Sequence, residues 1–298
     1  MTSDLPIVDA HHHLWDLEQN RYPWLAAQRQ GGGASDGNSI ARTYSVADYL
    51  AETSGQNVVK SVHVDAGFDP ADPVAETRWL QGVADANGFP HAIVAHARPH
   101  EPDFEAVLAG HSEYANARGI RHRINWHPSP EKSAAPENFL ANDKWLAGYP
   151  LLERYGLSFD LQVHAVQMDA AARLVEPHPG IPVALTHAGF PADRDDASMA
   201  AWRVGIKRLA QIPHVTVKIS GLGMFDHDWS VASIRPIVFT LIDAFGTDRA
   251  MFASNFPVDS LYSSYATLWD AFRELTVAFS QDERRKLFAG NASRFYRI

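Results

Sequence analysis

Ile7-Val8-Asp9-Ala10-His11-His12-His13 stands almost at the head of the chain, an apolar lead that runs directly into three histidines. Read as a strand, its side chains alternate between two faces, so His11 and His13 point one way and His12 the other. Two imidazoles held by one strand converge on a common point. That suits a divalent metal, because neutral imidazole is a borderline ligand and the strand orders it at no further cost. A strand end that is merely polar is the plainer reading of the same residues. An affinity tag is not, since such tags are longer and lie outside a strand lead.

Working outward, runs of the same apolar character lie near residues 7–12, 58–64, 91–97, 119–124, 158–163, 181–186, 214–219 and 250–254. Between most of them lie stretches with helical spacing and helix-start residues, such as Ser45-Val46-Ala47-Asp48-Tyr49-Leu50 and Asp103-Phe104-Glu105-Ala106-Val107-Leu108. Eight strands alternating with helices in 298 residues predict an α/β fold, a (β/α)8 TIM barrel forming a single domain over residues 1–298. A doubly wound open sheet is the rival, but no Gly-x-Gly-x-x-Gly follows the first strand. Two connections exceed the minimum. Residues 15–45 contain Gly31-Gly32-Gly33 and Ser35-Asp36-Gly37-Asn38, and residues 125–145 carry Pro128, Pro130 and Pro136 between Trp126 and Trp145. Both come after strands, which places these insertions on the C-terminal face, where active sites of this fold lie.

Composition narrows the function classes. The chain is 46% hydrophobic and 20% charged with a net charge of -9 and no basic stripe, which argues against nucleic acid as a partner. No apolar run near membrane-spanning length and no charged-then-apolar leader is present, so a cytoplasmic location without membrane contact is expected. With no cysteine there is no thiolate nucleophile or thiolate metal site; any metal must use His, carboxylate or water. The helix predicted over 232–245 packs on the barrel or on a second subunit, so a homo-oligomer stays open.

Alternation then sorts the polar residues. In Phe159-Asp160-Leu161-Gln162-Val163-His164 the apolar side chains share one face, so Asp160, Gln162 and His164 face the barrel axis, with His164 nearest the mouth. His187 ends Val183-Ala184-Leu185-Thr186-His187. By the same count Lys218 and Ser220, Arg121 and Arg123, and Ser61, His63 and Asp65 face inward. A barrel interior is normally filled by branched apolar side chains, so this many charged and imidazole groups is costly unless they serve a site. Trp126, with Trp15, Tyr22 and Trp24, offers an aromatic face over the mouth for a sugar-like or planar substrate, or a cover that pins the loops.

Asp9-Ala10-His11-His12-His13, His164, Thr186-His187-Ala188-Gly189, Val217-Lys218-Ile219-Ser220-Gly221-Leu222, Phe252-Ala253-Ser254-Asn255-Phe256-Pro257-Val258-Asp259 and Gly290-Asn291-Ala292-Ser293-Arg294-Phe295-Tyr296 together resemble the amidohydrolase superfamily. The nearest branch is the amidohydrolase-2 group, with its sugar-lactone hydrolases, pyrone-dicarboxylate lactonase and related decarboxylases. The resemblance implies an amidohydrolase-like TIM-barrel hydrolase in which the strand-one pair, the strand-five and strand-six histidines and a strand-eight acid surround a metal or its place. One position departs from it. Where many relatives carry an aspartate that ligates metal and acts as base, this chain has Asn255, whose amide has no basic lone pair. Asp259, four residues on, is the alternative carboxylate, or a loop aspartate.

The expected reaction is opening of a small-molecule lactone, that of a sugar acid or of a dicarboxylic acid, or of a related carbonyl ester. His11 and His13, with His164 or His187, hold a divalent metal, zinc before others. Arg121, Arg123 and Lys218 bind anionic or hydroxyl groups, with His164 and Trp126 in the substrate site, and His187, Asn255, Asp259 and Lys218 carry the catalysis. Each cation could instead be the buried partner of Asp160 or Asp65. The alternatives are a metal-free lactonase that uses the histidines and Asp259, a metal-dependent decarboxylase, and a binding barrel without turnover.

Overall fold

The computed structural model describes residues 5–30 and 40–298. Gly31-Gly32-Gly33 and Ser35-Asp36-Gly37-Asn38 of the first insertion lie outside the described residues. Eight parallel strands succeed one another in a single sheet: β1 (Ile7–His12), β2 (Val58–Val64), β3 (Ala92–His96), β4 (Ala117–Arg121), β5 (Ser158–Leu161), β6 (Val183–Leu185), β7 (Val215–Ile219) and β8 (Ala250–Phe252). The sheet curls into a nearly closed barrel. Just past β8, Asn255 donates its backbone N–H to the His11 carbonyl at 2.7 Å and His13 donates to the Phe256 carbonyl at 2.7 Å. The eight-stranded α/β barrel predicted from alternating runs is therefore the observed fold.

Parallel strands bury both faces, and two apolar layers show it. Val8, Ala10, Val62, Val64, Ala92, Val94, Ala184, Met251 and Ala253 form an inner cluster, while Ile93, Ile120, Phe159, Leu161, Val183, Val217 and Phe252 belong to the outer core packed by helices. The C-terminal helix Asn291–Tyr296 joins the inner cluster through Ala292 and Tyr296. Asn291 Nδ2 donates to the carbonyls of Thr247 and of Ala250, the first residue of β8, at 2.7 Å each. This helix consequently seals the end of the barrel opposite the mouth.

The inner cluster corrects one strand. Val62 and Val64 occupy the interior, so Ser61 and His63 of β2 face the helices rather than the axis. Ser61 Oγ bonds His12 Nε2 at 2.9 Å, and His63 Nδ1 accepts the Leu14 N–H at 3.0 Å while its other nitrogen lies 3.7 Å from buried Glu76. In the sequence Val58-Val59-Lys60-Ser61-Val62-His63-Val64 both phases of alternation carry polar and apolar residues, so composition could not choose the phase.

The first insertion is pinned by aromatic side chains. Trp15 and Tyr44 exchange backbone hydrogen bonds at 2.9 and 3.0 Å, Trp15 Nε1 donates to the Arg42 carbonyl at 2.6 Å, and Trp24 Nε1 donates to the Ala66 carbonyl at 2.7 Å. In the second insertion, buried Trp145 donates its indole N–H to His122 Nδ1 at 3.0 Å. No helix among the described residues is long and apolar enough to cross a membrane.

Candidate active site

At the end of β1 strict alternation fails, to useful effect. Asp9 accepts the Tyr49 hydroxyl at 3.2 Å, and His12 stacks on the same Tyr49 ring at 4.2 Å, so residues three apart share one side. The pairing with β2 shifts register between Asp9 and His12, and a bulge of this kind re-aims the side chains C-terminal to it. His11 and His13 meet with ring centroids 5.0 Å apart, and His11 lies 4.5 Å from His187. Asp9 is held outside by Ser254 and Tyr265 as well as Tyr49. It is a strut for the β1–β8 closure, not part of the mouth.

His187 enters on an unusual turn. His187, Ala188, Gly189 and Phe190 all have positive φ, at 49°, 56°, 68° and 57°. Strained backbone of this kind persists only where the surroundings over-determine it, and it clusters at functional sites. The ring rests on Gly221, where a Cβ would come within 2.7 Å of His187 Nδ1, and that nitrogen bonds Ser220 Oγ at 3.2 Å. His13 Nδ1 lies 2.7 Å from the Val64 carbonyl. A carbonyl only accepts, so that nitrogen carries the proton and His13 Nε2 keeps its lone pair. Buried His11 has no hydrogen-bond partner on either ring nitrogen. Burial first, then neighbouring positive charge, holds all three imidazoles well below the usual histidine range, so they are neutral at physiological pH. The contributing cations are Arg121 and Lys218.

Those cations are not presented as freely as alternation suggested. Lys218 is fully buried, its Nζ 2.5 Å from Asp160 Oδ2 and 5.0 Å from the Tyr296 ring, while the Tyr296 hydroxyl donates to Asp160 Oδ1 at 2.9 Å. It is an ion-paired element of the barrel interior that projects positive potential upward. Arg121 donates from Nε to Asp65 Oδ2 at 3.1 Å and from a terminal nitrogen to the Asp65 backbone carbonyl. Burial alone would raise the Asp65 carboxyl; Arg121, then His96 and Arg123, hold it well below the usual carboxylate range instead. β4 ends at Arg121, two residues earlier than needed to direct Arg123 inward, and Arg123 lies exposed at the rim.

Asn255, at φ 59°, donates from Nδ2 to Asp259 Oδ1 at 3.2 Å. Asp259 is buried and its Oδ2 has no partner. Burial pushes its carboxyl up to about 7, against the opposing hydrogen bond from Asn255 and the weaker pull of the Gly223 and Gly221 backbone N–H groups. An aspartate at position 255 would set two carboxylates side by side, whereas the amide stabilises the one present.

His164 and Trp126 are placed apart from this group. His164 Nε2 lies 3.0 Å from the Lys132 carbonyl, and its ring contacts His127 at 5.3 Å and Phe190 at 4.8 Å. It stands three residues beyond β5, out of the reach of strand alternation, and turns toward the second insertion rather than the other three histidines. Trp126 is half-buried against the core. A cluster that alternation did not reveal, His96, Arg98, His100 and His122, lies beside Arg123. Its signal is present in the sequence: β3 ends in histidine as the strand-five run does, in Ala95-His96-Ala97-Arg98.

Against a divalent ion, the chemistry of His11, His13 and His187 fits: neutral imidazoles, His13 Nε2 with its lone pair free, and His11 unpaired. Hydrogen bonds from the far nitrogens to Val64 and Ser220 are the supports that metal-bound histidines use. Among the described residues, however, no three His, Asp or Glu side chains stand ready-gathered as a metal site, and Asn255 brings no charge.

A (β/α)8 barrel with imidazoles and buried cations gathered at the C-terminal ends of its strands has the layout of the barrel enzymes, whose active sites lie at that face. The pattern of the family described as Amidohydrolase matches residues 8–298, and the chain belongs to that family. It is 47% identical over 304 residues to the uncharacterized protein y4mH of Sinorhizobium fredii, covering 99% of this chain and 100% of the relative. It is 29% identical to an L-fucono-1,5-lactonase of Burkholderia multivorans, covering 98% and 96%. The structure of an amidohydrolase from Burkholderia multivorans with bound zinc superposes with a TM-score of 0.82 at 27% identity, covering 98% and 99%.

Proposed function

We infer that this enzyme opens a small-molecule lactone with water at the group formed by His11, His13, His187, Arg121 and Asp259. The observation that carries the reading is His11, a buried imidazole with neither nitrogen paired and two further imidazoles against it. Buried polar groups left unpaired cost about 1–3 kcal/mol each, and a bound ligand offsets that cost. The lactonase-named relative supports the substrate class.

In this reading Asp259 is the general base. A carboxyl near 7 is partly ionised at neutral pH yet basic enough to accept a proton from water, and Asn255 orients it. Water adds to the ring carbonyl carbon, and negative charge develops on the carbonyl oxygen beside Arg121, which Asp65 fixes, with Lys218 adding field from below. The ring C–O bond then breaks, Asp259 returns the proton to the departing ring oxygen, and the new carboxylic acid loses its own proton to solvent. A divalent ion such as zinc, held by His11, His13 and His187, would supply a more acidic water and a polarised carbonyl.

The test pairs elemental analysis of protein purified without added metal with a base-consumption assay over sugar lactones and aromatic-acid lactones. Turnover of at least one lactone class, lost in His187→Ala and Asp259→Asn, is the expected result. About one divalent ion per chain, lost in His13→Ala, would place the ion at the trio. A well-folded protein that turns over no lactone but releases carbon dioxide from aromatic acids would overturn the reading.

A further inference from the structure

Across the Arg121–Asp65 pair lies a second group of basic side chains that the proposed hydrolytic mechanism does not use. His96, Arg98, His100, His122, Arg123 and Glu137 line a cavity of about 310 Å³, open to solvent and walled on one side by the second insertion. Arg123 makes no hydrogen bond or ion pair with any described residue; its charge faces Asp65 and, more remotely, Glu76. Arg98 is held loosely, with Nε donating to His96 Nε2 at 3.3 Å and a terminal nitrogen 3.8 Å from Glu101. His122 uses Nδ1 to accept the Trp145 indole N–H, which leaves its Nε2–H as a donor, and buried His100 Nδ1 has no partner. His100 stacks on His122 at 5.6 Å, so the donors form one wall.

The cavity is coupled to the trio through one carboxylate. Asp65 Oδ2 accepts from Arg121, whose charge acts on all three imidazoles of the trio, while Asp65 Oδ1 sits 3.7 Å from His96 Nδ1, which lines the cavity. The two places are thus neighbours across a single ion-paired group.

We propose that this cavity binds a carboxylate carried by the substrate itself, at a position remote from the lactone carbonyl, with Arg123 and Arg98 as its principal partners. The proposal rests on the lactonase reading and deepens it: the substrate is the lactone of a dicarboxylic acid rather than of a neutral sugar acid. Guanidinium pairs with carboxylate through two parallel N–H donors, and an unpaired Arg beside a loosely paired one offers that geometry. With Glu101 and Glu137 at the rim, the local charge suits one monoanionic group better than a phosphate dianion.

The experiment compares an aldonic acid lactone with the aldaric monolactone that differs only by oxidation of the terminal alcohol to a carboxylate. The ratio of kcat/KM, aldaric over aldonic, is expected to exceed about ten in the native enzyme and to fall about tenfold in Arg123→Met and in Arg98→Met, with Arg123→Lys retaining part of it. Calorimetry with the open-chain aldarate and aldonate reads the same subsite without turnover. If no lactone is opened, tighter aldarate binding that Arg123→Met abolishes upholds the carboxylate site while the lactonase reading fails. Thermal melting shows that each variant is folded. Equal ratios in native and variant enzymes, no binding preference for the dicarboxylate, or preference for a phosphorylated lactone over the aldaric one overturns the proposal.

Discussion

Replacing Asp259 by Asn should stabilise the protein and disable it together. The Asp259 carboxyl is displaced from 3.8 to about 7, chiefly by burial. A carboxyl whose folded pKa is raised binds its proton more tightly in the folded chain, so stability falls as pH rises from about 4 to about 7 and levels off above that. At about 1.36 kcal/mol per pH unit, the displacement sets an upper limit of about 4 kcal/mol on the stability lost by pH 8. Asn255 keeps its acceptor in the variant, but the new amide N–H group sits where Oδ2 has no partner, a cost of about 1–3 kcal/mol. Asp259→Asn should therefore gain about 1–3 kcal/mol over the native chain at pH 8 and none near pH 5. Activity should fall by about 10²–10⁴, the range for loss of a general base. Urea unfolding at the two pH values measures the first effect, and the pH profile of kcat/KM for lactone opening measures the second. The native profile should rise through a midpoint near 7. The same limb persisting in Asp259→Asn, or no pH-dependent difference in stability, would refute the assignment.

Asn255→Asp replaces a donor with a second carboxylate 3.2 Å from Asp259; the pair should take up a proton, moving the rising limb of the rate profile upward by about one pH unit or more, and an unmoved limb would show that the two groups do not share a site. Lys218→Met strands the buried Asp160 charge and should cost about 3–5 kcal/mol in chemical denaturation, most of it recovered in the double variant with Asp160→Asn. A single-variant loss under about 1 kcal/mol would argue against a buried pair. Gly221→Ala places a methyl where only 2.7 Å separates it from His187 Nδ1, at φ +65°, so kcat should drop at least about tenfold along with a loss of about 1–3 kcal/mol. Full activity in that variant would mean that His187 can move without consequence.

The sequence is legible where alternation is unambiguous. Phe159-Asp160-Leu161 and Val217-Lys218-Ile219 set one polar residue between two large apolar ones, so a single phase buries the apolar pair against helices, and Asp160 and Lys218 must face inward. That they pair with each other, 58 positions apart, reflects the neighbouring places of β5, β6 and β7 in the sheet. Where both phases were acceptable, as in β2, the strand turned the other way. Beyond a strand's last ladder bond, period-two reasoning no longer applies, which is why His164 and Arg123 left their expected places.

The three histidines that do meet depend on geometry that no residue count reveals: a bulge between Asp9 and His12, and a run of positive φ from His187 to Phe190. Both are departures from regular structure at the C-terminal ends of strands, where a barrel is free to depart. The inner cluster leaves no such freedom: Val62 and Val64 fill space that a shifted strand would vacate. The irregularities at the mouth are tolerated because Asp9 ties β1 to Ser254 beyond β8 and to the Tyr49 and Tyr265 hydroxyls, and because Gly221 admits the His187 ring. Site and scaffold are therefore separable in this chain. Changes to the ties should loosen the imidazole trio before they unfold the barrel, and changes to the inner valines should do the reverse.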